Sequence, residues 1–292
     1  MRFNLYNDVK LFFQDTYDIL MRHEAQNLIP LGNVIIGNEG KDKTDWRDPA
    51  NWFMATVSDD TGIRLTAIMT PPYNLTLYAT DNQNDHEAVA CLIAGISKNN
   101  FALAGVMAEN TLAESFARAY TADKGTKYSI NKSQRIYELL KVNPGISSVG
   151  HLRAAQENDM AFIPYWIEGF NSDCFGTAPS VHRDAERYLY HISTGKLFIL
   201  TDNGTPVSMA NISREMRSVC GVNYVYTPPY FRGKGYATSC VAAVSRIILE
   251  RGFSKCVLYT DLANSTSNSI YQKIGYKPIC DSLEIKFNPT FD

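Results

Sequence analysis

One segment of the chain combines residue types that can hold a pyrophosphate. It reads V-N-Y-V-Y-T-P-P-Y-F-R-G-K-G-Y-A-T-S over residues 222–239. Gly233 and Gly235 carry no side chain that blocks a ligand, and they allow unusual backbone angles. Successive amide N–H groups, together with the start of the helix predicted to follow, can then converge on phosphate oxygens. Arg232 and Lys234 add positive charge beside the glycines.

The residues just before these glycines predict a gap in a β-sheet. Pro228 and Pro229 cannot continue a hydrogen-bonded ladder, because proline has no N–H to donate. The strand before them should therefore separate from its neighbour near Tyr226 and Thr227. The resulting notch leaves backbone groups free to bind a ligand arm that contains amides. Taken alone, the glycine loop also fits a plain turn before a helix, and it matches neither the dinucleotide fingerprint nor the nucleoside-triphosphate loop.

The elements that position this segment follow from hydrophobic periodicity and from turn residues. In the second half we predict strands at 148–155, 196–201, 206–211, 218–226, 256–260 and 283–287, with helices at 157–171, 183–194, 237–251 and 266–274. In the first half we predict strands at 52–58, 63–69, 74–79 and 101–107 and a further strand within 127–140, with helices at 7–30, 85–97 and 111–120.

The chain is predicted to form two α/β domains. Its 292 residues exceed the usual size of one domain, and V-N-P-G-I at 142–146 is the best boundary signal. We therefore place an N-terminal domain at 1–143 and a second domain at 144–292. Residues 104–120 and 257–271 each pair a strand with a helix that contains a tyrosine near its end, which is a weak sign of duplication.

The second half resembles the GNAT (GCN5-related N-acetyltransferase) superfamily. The family's loop, [Q/R]-x-x-G-x-[G/A], stands here as R-G-K-G-Y-A over residues 232–237. Its later motif stands as N-S-T-S-N-S-I-Y-Q-K-I-G-Y over residues 264–276. The two motifs occur in the family's order, and the resemblance covers about residues 147–287. It implies a mixed, largely antiparallel twisted sheet flanked by helices, preceded by an α/β domain that is either a degenerate GNAT-like repeat or unrelated.

The resemblance also implies a role for each motif. Acetyl-CoA would be the co-substrate, with its pyrophosphate held by the amides of Arg232, Gly233, Lys234, Gly235, Tyr236, Ala237 and Thr238. Backbone groups of Val225 and Thr227 would hold the pantetheine arm, and a backbone N–H near Val225 or Tyr226 would meet the oxyanion. Asn264 would orient the cofactor or its loop. Tyr271 would protonate the leaving thiolate as a general acid.

Several of these roles have structural alternatives. Tyr271 could pack on its helix beside Ile274, and Asn264 could be a helix N-cap. The general base is not determined by the sequence, and Glu215, which precedes the cofactor strand, is the candidate we name. The other candidate bases are Glu157, Asp159, Glu168, Asp173, His182 and His191. The aromatic residues within 164–175 line either an acceptor pocket or a core.

The predicted reaction is the transfer of an acetyl group from CoA to a primary amine of a small molecule, by direct attack. The alternatives are a non-catalytic acyl-CoA sensor or binding module, and an acyltransferase that acts on a protein. The first half has no glycine, arginine or lysine at its corresponding junction, residues 77–88. Asp81, Asp85 and Glu87 would repel a pyrophosphate there, so we predict that the first half binds no coenzyme.

Composition limits the partners. With 28 basic and 30 acidic residues, the net charge of −2 gives no broad positive field for nucleic acid. The six cysteines form no C-x-x-C pair, so neither a metal site nor a disulfide framework is expected, and the protein is predicted to be cytoplasmic. No apolar run approaches the roughly 18 residues that a membrane span needs. The sequence leaves a homodimer open.

Overall fold

The computed structural model describes residues 1–40, 48–81, 86–146, 148–176 and 185–288. The chain forms two compact units, one of Met1–Ile136 with Cys280–Asp292 and the other of Tyr137–Ile279. The sequence places the domain border at 143/144, whereas the chain changes unit after Ile136 and returns after Ile279. The return depends on strand pairing between distant residues, which local patterns do not reveal.

Most elements of the first half lie close to the predicted ranges, although no strand was predicted at residues 2–6 and no helix at residues 31–39. They are β1 (Arg2–Tyr6), α1 (Val9–Met21), α2 (Leu28–Glu39), β2 (Phe53–Asp59), β3 (Gly62–Met69), β4 (Leu75–Ala79), α3 (His86–Lys98), β5 (Gly105–Glu109), α4 (Asn110–Lys124) and β6 (Lys127–Leu139). The single helix predicted over 7–30 is wrong, because two helices occupy that region. Pro30 lies in the first turn of α2, where proline is tolerated, and does not end a helix.

The elements of the second half are β7 (His151–Ala154), α5 (Ile163–Phe175), α6 (Ala185–Ser193), β8 (Leu197–Asp202), β9 (Thr205–Ser213), β10 (Val219–Tyr226), α7 (Tyr236–Glu250), β11 (Lys255–Asp261), α8 (Ser265–Ile274) and β12 (Lys277–Asn288). Short 3₁₀ helices lie at Pro49–Asn51, Glu157–Ala161 and Pro229–Phe231. No helix in the described part of the chain is both long and apolar enough to cross a bilayer.

The first unit contains a sheet in the order β1-β2-β3-β4-β5-β12. Its strands pair antiparallel, apart from the parallel pair β4 and β5. The final strand comes from the C-terminal end of the chain, with Ser282–Lys286 paired to Gly105–Glu109. Helices α3 and α4 supply side chains such as Leu92, Ile96 and Phe116 to the core.

The second unit repeats this topology. Its strands run in the order β7-β8-β9-β10-β11, antiparallel up to β10 and parallel between β10 and β11. Side chains along β8 alternate between two cores, because successive residues of a strand point to opposite faces. Phe198 and Leu200 join the core formed with α7 and α8, whereas Leu197 and Ile199 join the core formed with α5 and α6. The predicted mixed, largely antiparallel sheet flanked by helices is confirmed.

Buried thiols make the stability of the second unit sensitive to alkaline pH. Cys220, Cys240 and Cys256 are 0% exposed, and burial raises the pKa of each thiol to about 12. In the unfolded chain a cysteine thiol ionises near pH ~8.5. Since the folded pKa is the higher one, this stabilisation is complete below that pH. It is lost as the pH rises toward the folded pKa, at about 1.4 kcal/mol per pH unit for each thiol.

We therefore expect the melting temperature to fall steadily above about pH 9. The Cys240→Ala variant should show a shallower fall than the parent protein, although its melting temperature at pH 7 is lowered by a small cavity. Scanning calorimetry from pH 7 to 10.5 measures both slopes. Val241→Ala, which also leaves a cavity in the same core but removes no thiol, should keep the parent slope. Equal slopes in the parent and Cys240→Ala would contradict the prediction.

Candidate functional site

Strand β10 separates from β11 well before it ends. The two strands pair only where Val219–Gly221 faces Lys255–Val257. Beyond that point β10 remains paired with β9, as far as Tyr226 opposite Met209. The backbone edge of β10 from residue 222 onward therefore faces a notch, as the two prolines predict. The predicted point of separation was near Tyr226 and Thr227, but the pairing with β11 already ends at Gly221. The prolines are therefore not the cause of the separation.

A β-bulge explains the early separation. The register of β10 against β9 shifts between Asn223 and Tyr226. Tyr224 inside this bulge has φ of 48°, a left-handed angle that is uncommon for a tyrosine. A bulge bends its strand and increases the local twist, which turns β10 away from β11. Val225 lies within the bulge, between the paired positions on either side.

The glycine loop ends in a helix N-terminus that has no side-chain cap. Gly233 and Gly235 have φ of 78° and 83°, and a Cβ on either would meet nothing within 4 Å. Glycine is therefore required for the backbone angle and not for lack of space. Helix α7 begins at Tyr236 with Gly235 as its N-cap residue and no side-chain cap. The first amides of the helix, unpaired as in any α-helix, are available to an anion.

The two cations of the loop are placed differently from each other. Lys234 is exposed. The guanidinium of Arg232 is bound by protein: Nε donates to the Thr227 carbonyl at 2.9 Å, and Nη2 donates to Asp173 Oδ2 at 2.6 Å. The expectation that both side chains supply charge to a phosphate is therefore not met for Arg232 in this structure. The backbone of Arg232 still immediately precedes Gly233, the first glycine of the loop.

The predicted pantetheine-binding residues are only partly available. The Ser208 hydroxyl donates to the Tyr226 carbonyl at 3.1 Å and lies 2.9 Å from Thr227 Oγ1. The Thr227 carbonyl accepts from Arg232. Both carbonyls thus already have protein donors. Val225 is the one of the three predicted residues that lies inside the bulge.

Tyr271 on α8 is almost completely buried, at 7% exposure. Its ring lies 6.3 Å from Tyr137 and 5.9 Å from Tyr276, measured between ring centroids. Burial, and secondarily the Cys174 thiol at the end of α5, raises the pKa of Tyr271 well above its ordinary value. The hydroxyl therefore stays protonated at neutral pH. The same burial also suits the alternative of aromatic packing.

Asn264 serves as the N-cap of α8. Its Oδ1 accepts a hydrogen bond from the Ser267 amide at 3.0 Å, which is the capping alternative. Sequence reasoning missed Asn268, which fixes the same turn. Its Nδ2 donates to the carbonyls of Asp261 and Asn264 at 2.8 and 2.7 Å, and its Oδ1 accepts from the Tyr137 hydroxyl at 3.0 Å. The repeated asparagines of this motif signal a capped turn but do not show which one holds it.

The structure does not bring Glu215 to the site. Glu215 lies before β10, whereas the glycine loop follows that strand, so the eight residues of β10 separate them by roughly 25 Å. Its carboxylate is paired with Lys196 Nζ at 2.5 Å and Arg251 Nη1 at 3.7 Å. The proposal of Glu215 as general base is therefore corrected: most of the strand lies between Glu215 and Val225, and the carboxylate is held by two cations instead.

The other candidate bases are also placed by the structure. Asp159 accepts two hydrogen bonds from Arg153 at 2.6 and 2.7 Å. Buried Glu168 accepts one from the Tyr188 hydroxyl at 3.0 Å. The remaining candidates are exposed Glu157, Asp173 bound to Arg232, His191 packed on Tyr224, and His182, which lies outside the described residues. Among the residues described, no three His, Cys, Asp or Glu side chains are grouped as metal ligands.

Comparisons with known proteins identify the second unit. Residues 163–276 match the model of the acetyltransferase (GNAT) family, so this part of the chain is a GNAT domain. No curated protein sequence matched the chain.

Solved structures extend the likeness to both units. A GNAT-family acetyltransferase from Colwellia psychrerythraea has a TM-score of 0.60 at 11% identity, covering 99% of this chain and 100% of its own. A GCN5-related N-acetyltransferase from Sphaerobacter thermophilus has a TM-score of 0.61 at 15% identity, covering 99% and 97%. A Drosophila protein has a TM-score of 0.65 at 12% identity, covering 98% of both chains. At such identities the likeness shows the fold alone.

Proposed function

We propose that this chain is an acyl-CoA-dependent N-acyltransferase, which transfers an acetyl group to a primary amine of a small molecule. The observation that carries the proposal is the notch beside β10, which lies next to an uncapped helix N-terminus preceded by two left-handed glycines. The notch suits an extended, amide-bearing arm, and the helix end suits a pyrophosphate. Acetyl-CoA carries both groups in one molecule.

Residues of the loop and strand would hold the co-substrate. The amides from Gly233 to Thr238 would bind the pyrophosphate oxygens, with Lys234 adding charge. The backbone of Val225, inside the bulge, would bind the pantetheine arm. Asn264 would act indirectly, by capping α8, the helix that carries Tyr271. In the first unit the corresponding helix α3 has an acidic residue, Glu87, in its first turn, which supports our proposal that this unit binds no coenzyme.

The thioester supplies an activated acyl group. The amine nitrogen attacks the carbonyl carbon, the carbon–sulfur bond breaks, and an N–H near Val225 stabilises the developing oxyanion. Tyr271 then donates its proton toward the leaving sulfur, and the proton lost by the amine returns to the tyrosine through water. The products are an amide and free CoA. Because burial raises its pKa, Tyr271 is protonated before each turnover.

Two measurements test this proposal. Calorimetric titration with CoA should show binding to the purified chain, and thiol release from acetyl-CoA should accelerate when a panel of primary amines is added. Failure to bind CoA would exclude the proposal. Binding without turnover on any amine, peptide or protein would instead support a non-catalytic acyl-CoA-binding module.

The burial of Tyr271 among aromatic rings is the observation that favours this second candidate. A binding module needs the loop and the notch but not the tyrosine hydroxyl. A cytoplasmic location is part of the main proposal. The buried thiols of Cys220, Cys240 and Cys256 support it, because such thiols persist in a reducing compartment.

A further inference from the structure

We infer that Asp173 is a positioning residue for the pyrophosphate loop and acts through Arg232, an inference that rests on the proposed function. Asp173 lies near the end of α5, and Arg232 immediately precedes Gly233. The Arg232 guanidinium bridges two acceptors, Asp173 Oδ2 at 2.6 Å and the Thr227 carbonyl at 2.9 Å. One side chain therefore connects α5, the end of the β10 segment and the start of the loop.

The Tyr226 side chain, which packs between Arg232 and α5, supports the same connection. The Arg232 guanidinium carbon lies 5.7 Å from the centroid of the Tyr226 ring. The Tyr226 hydroxyl in turn lies against α5 at Gly169, where an added Cβ would come within 2.4 Å of it. Arginine suits this place better than lysine, because its planar fork can bond two acceptors and stack on a ring at once. The stack and the ion pair hold α5 against the same few residues.

This arrangement defines the backbone at the entrance to the loop. Arg232 has φ of −67° and ψ of 156°, and the left-handed Gly233 follows it. Because two acceptors hold the Arg232 guanidinium, the backbone amides that follow Arg232 keep one orientation before any ligand binds. Such preorganisation lowers the entropy cost of binding. The ion pair itself is half exposed, at 48% and 51%, so it adds little to overall stability.

If Asp173 competed with the ligand instead of positioning the loop, its removal would change the affinity for CoA in the opposite direction. If Asp173 competed with the pyrophosphate for Arg232, removing its charge would free the guanidinium and tighten CoA binding. If Asp173 positions the loop, removing its charge loosens the entrance and weakens CoA binding. The sign of the change therefore separates the two roles.

The test uses the full chain and CoA as the ligand, with isothermal calorimetry for Kd and a thermal melt for stability. We expect Asp173→Asn to raise the Kd for CoA about fivefold, as loss of one charge-assisted, half-exposed pair would. The melting temperature of the ligand-free protein should be nearly unchanged. Asp173→Glu, which keeps the charge, should recover part of the affinity. In turnover, KM for acetyl-CoA should rise while kcat at saturation is kept.

Two further variants complete the design. Arg232→Gln should weaken CoA binding, and adding Asp173→Asn to it should cause no further loss, since the two residues act as one unit. Glu114→Gln is the matched control. It removes an acid of 42% exposure that pairs with Arg118 at 3.0 Å on α4 of the first unit, and it should leave Kd unchanged.

Unchanged or tighter CoA binding by Asp173→Asn, with normal binding by the parent protein, would overturn the positioning role alone. No CoA binding by the parent protein would overturn the proposed function and the positioning role together.

Discussion

Gly235→Val should weaken CoA binding about a hundredfold, because it forces a β-branched residue into a left-handed backbone angle. Gly235 has φ of 83°, and its α7 N-cap position aims the first helical amides. A non-glycine residue pays about 1–2 kcal/mol in that conformation, so the loop relaxes and the amides turn away. Each amide hydrogen bond to a charged group contributes about 1.5–3 kcal/mol, so losing one or two accounts for the effect. Calorimetric titration with CoA measures it.

The opposite end of the same helix offers a matched control. Gly252 has φ of 96°, and a Cβ there also meets nothing within 4 Å. Gly252→Val thus introduces similar strain just after α7, far from the loop. It should lower the melting temperature and leave the Kd for CoA unchanged. Comparable losses of affinity in both variants would show that general destabilisation, and not the loop, is responsible.

Tyr271→Phe should lower kcat about a hundredfold and leave KM for acetyl-CoA unchanged. General acids contribute roughly 10²–10⁴-fold, and they work best when their pKa is near the working pH. Burial moves the pKa of Tyr271 further above that range, so we expect the lower end. The side chain keeps its packing as phenylalanine, and stability should change little. Steady-state kinetics at saturating acetyl-CoA measures the change.

The pH profile provides a second test of the same residue. Since the raised pKa keeps Tyr271 protonated, the parent kcat should not fall between pH 7 and 9 through loss of this proton. Tyr276→Phe is the control, because its buried hydroxyl bonds Ser245 at 2.8 Å and belongs to the core. It should lower stability and keep kcat. An unchanged kcat in Tyr271→Phe would show that a different group protonates the leaving thiolate.

Elements with strong local signals were predicted well. The helix predicted at 237–251 is α7, with Val241, Val244 and Ile248 buried as the 3.6-residue period requires. The helix predicted at 266–274 is α8, and Gly275 ends it in a left-handed conformation. The glycine loop between β10 and α7 was also predicted. In each case the residues that impose the structure are neighbours in the chain.

Long-range contacts were not predictable in the same way. Asp173 and Arg232 are 59 residues apart. The bulge at Tyr224 arises from register with β9, and an aromatic, β-branched strand carries no glycine or proline to mark it. The ion pairs of Glu215 with Lys196 and Arg251 likewise join residues that are distant in the chain.

By itself, the sequence determined the fold family of residues 163–276, the glycine loop at 232–237 and the helix that follows it. Those features depend on backbone preferences and periodicity, which act between near neighbours. Tertiary structure alone decided where β10 leaves β11, what holds Arg232, and which half of the chain supplies the last strand of the first unit. These depend on pairings between distant residues, whose energies are set by packing and geometry in the folded chain.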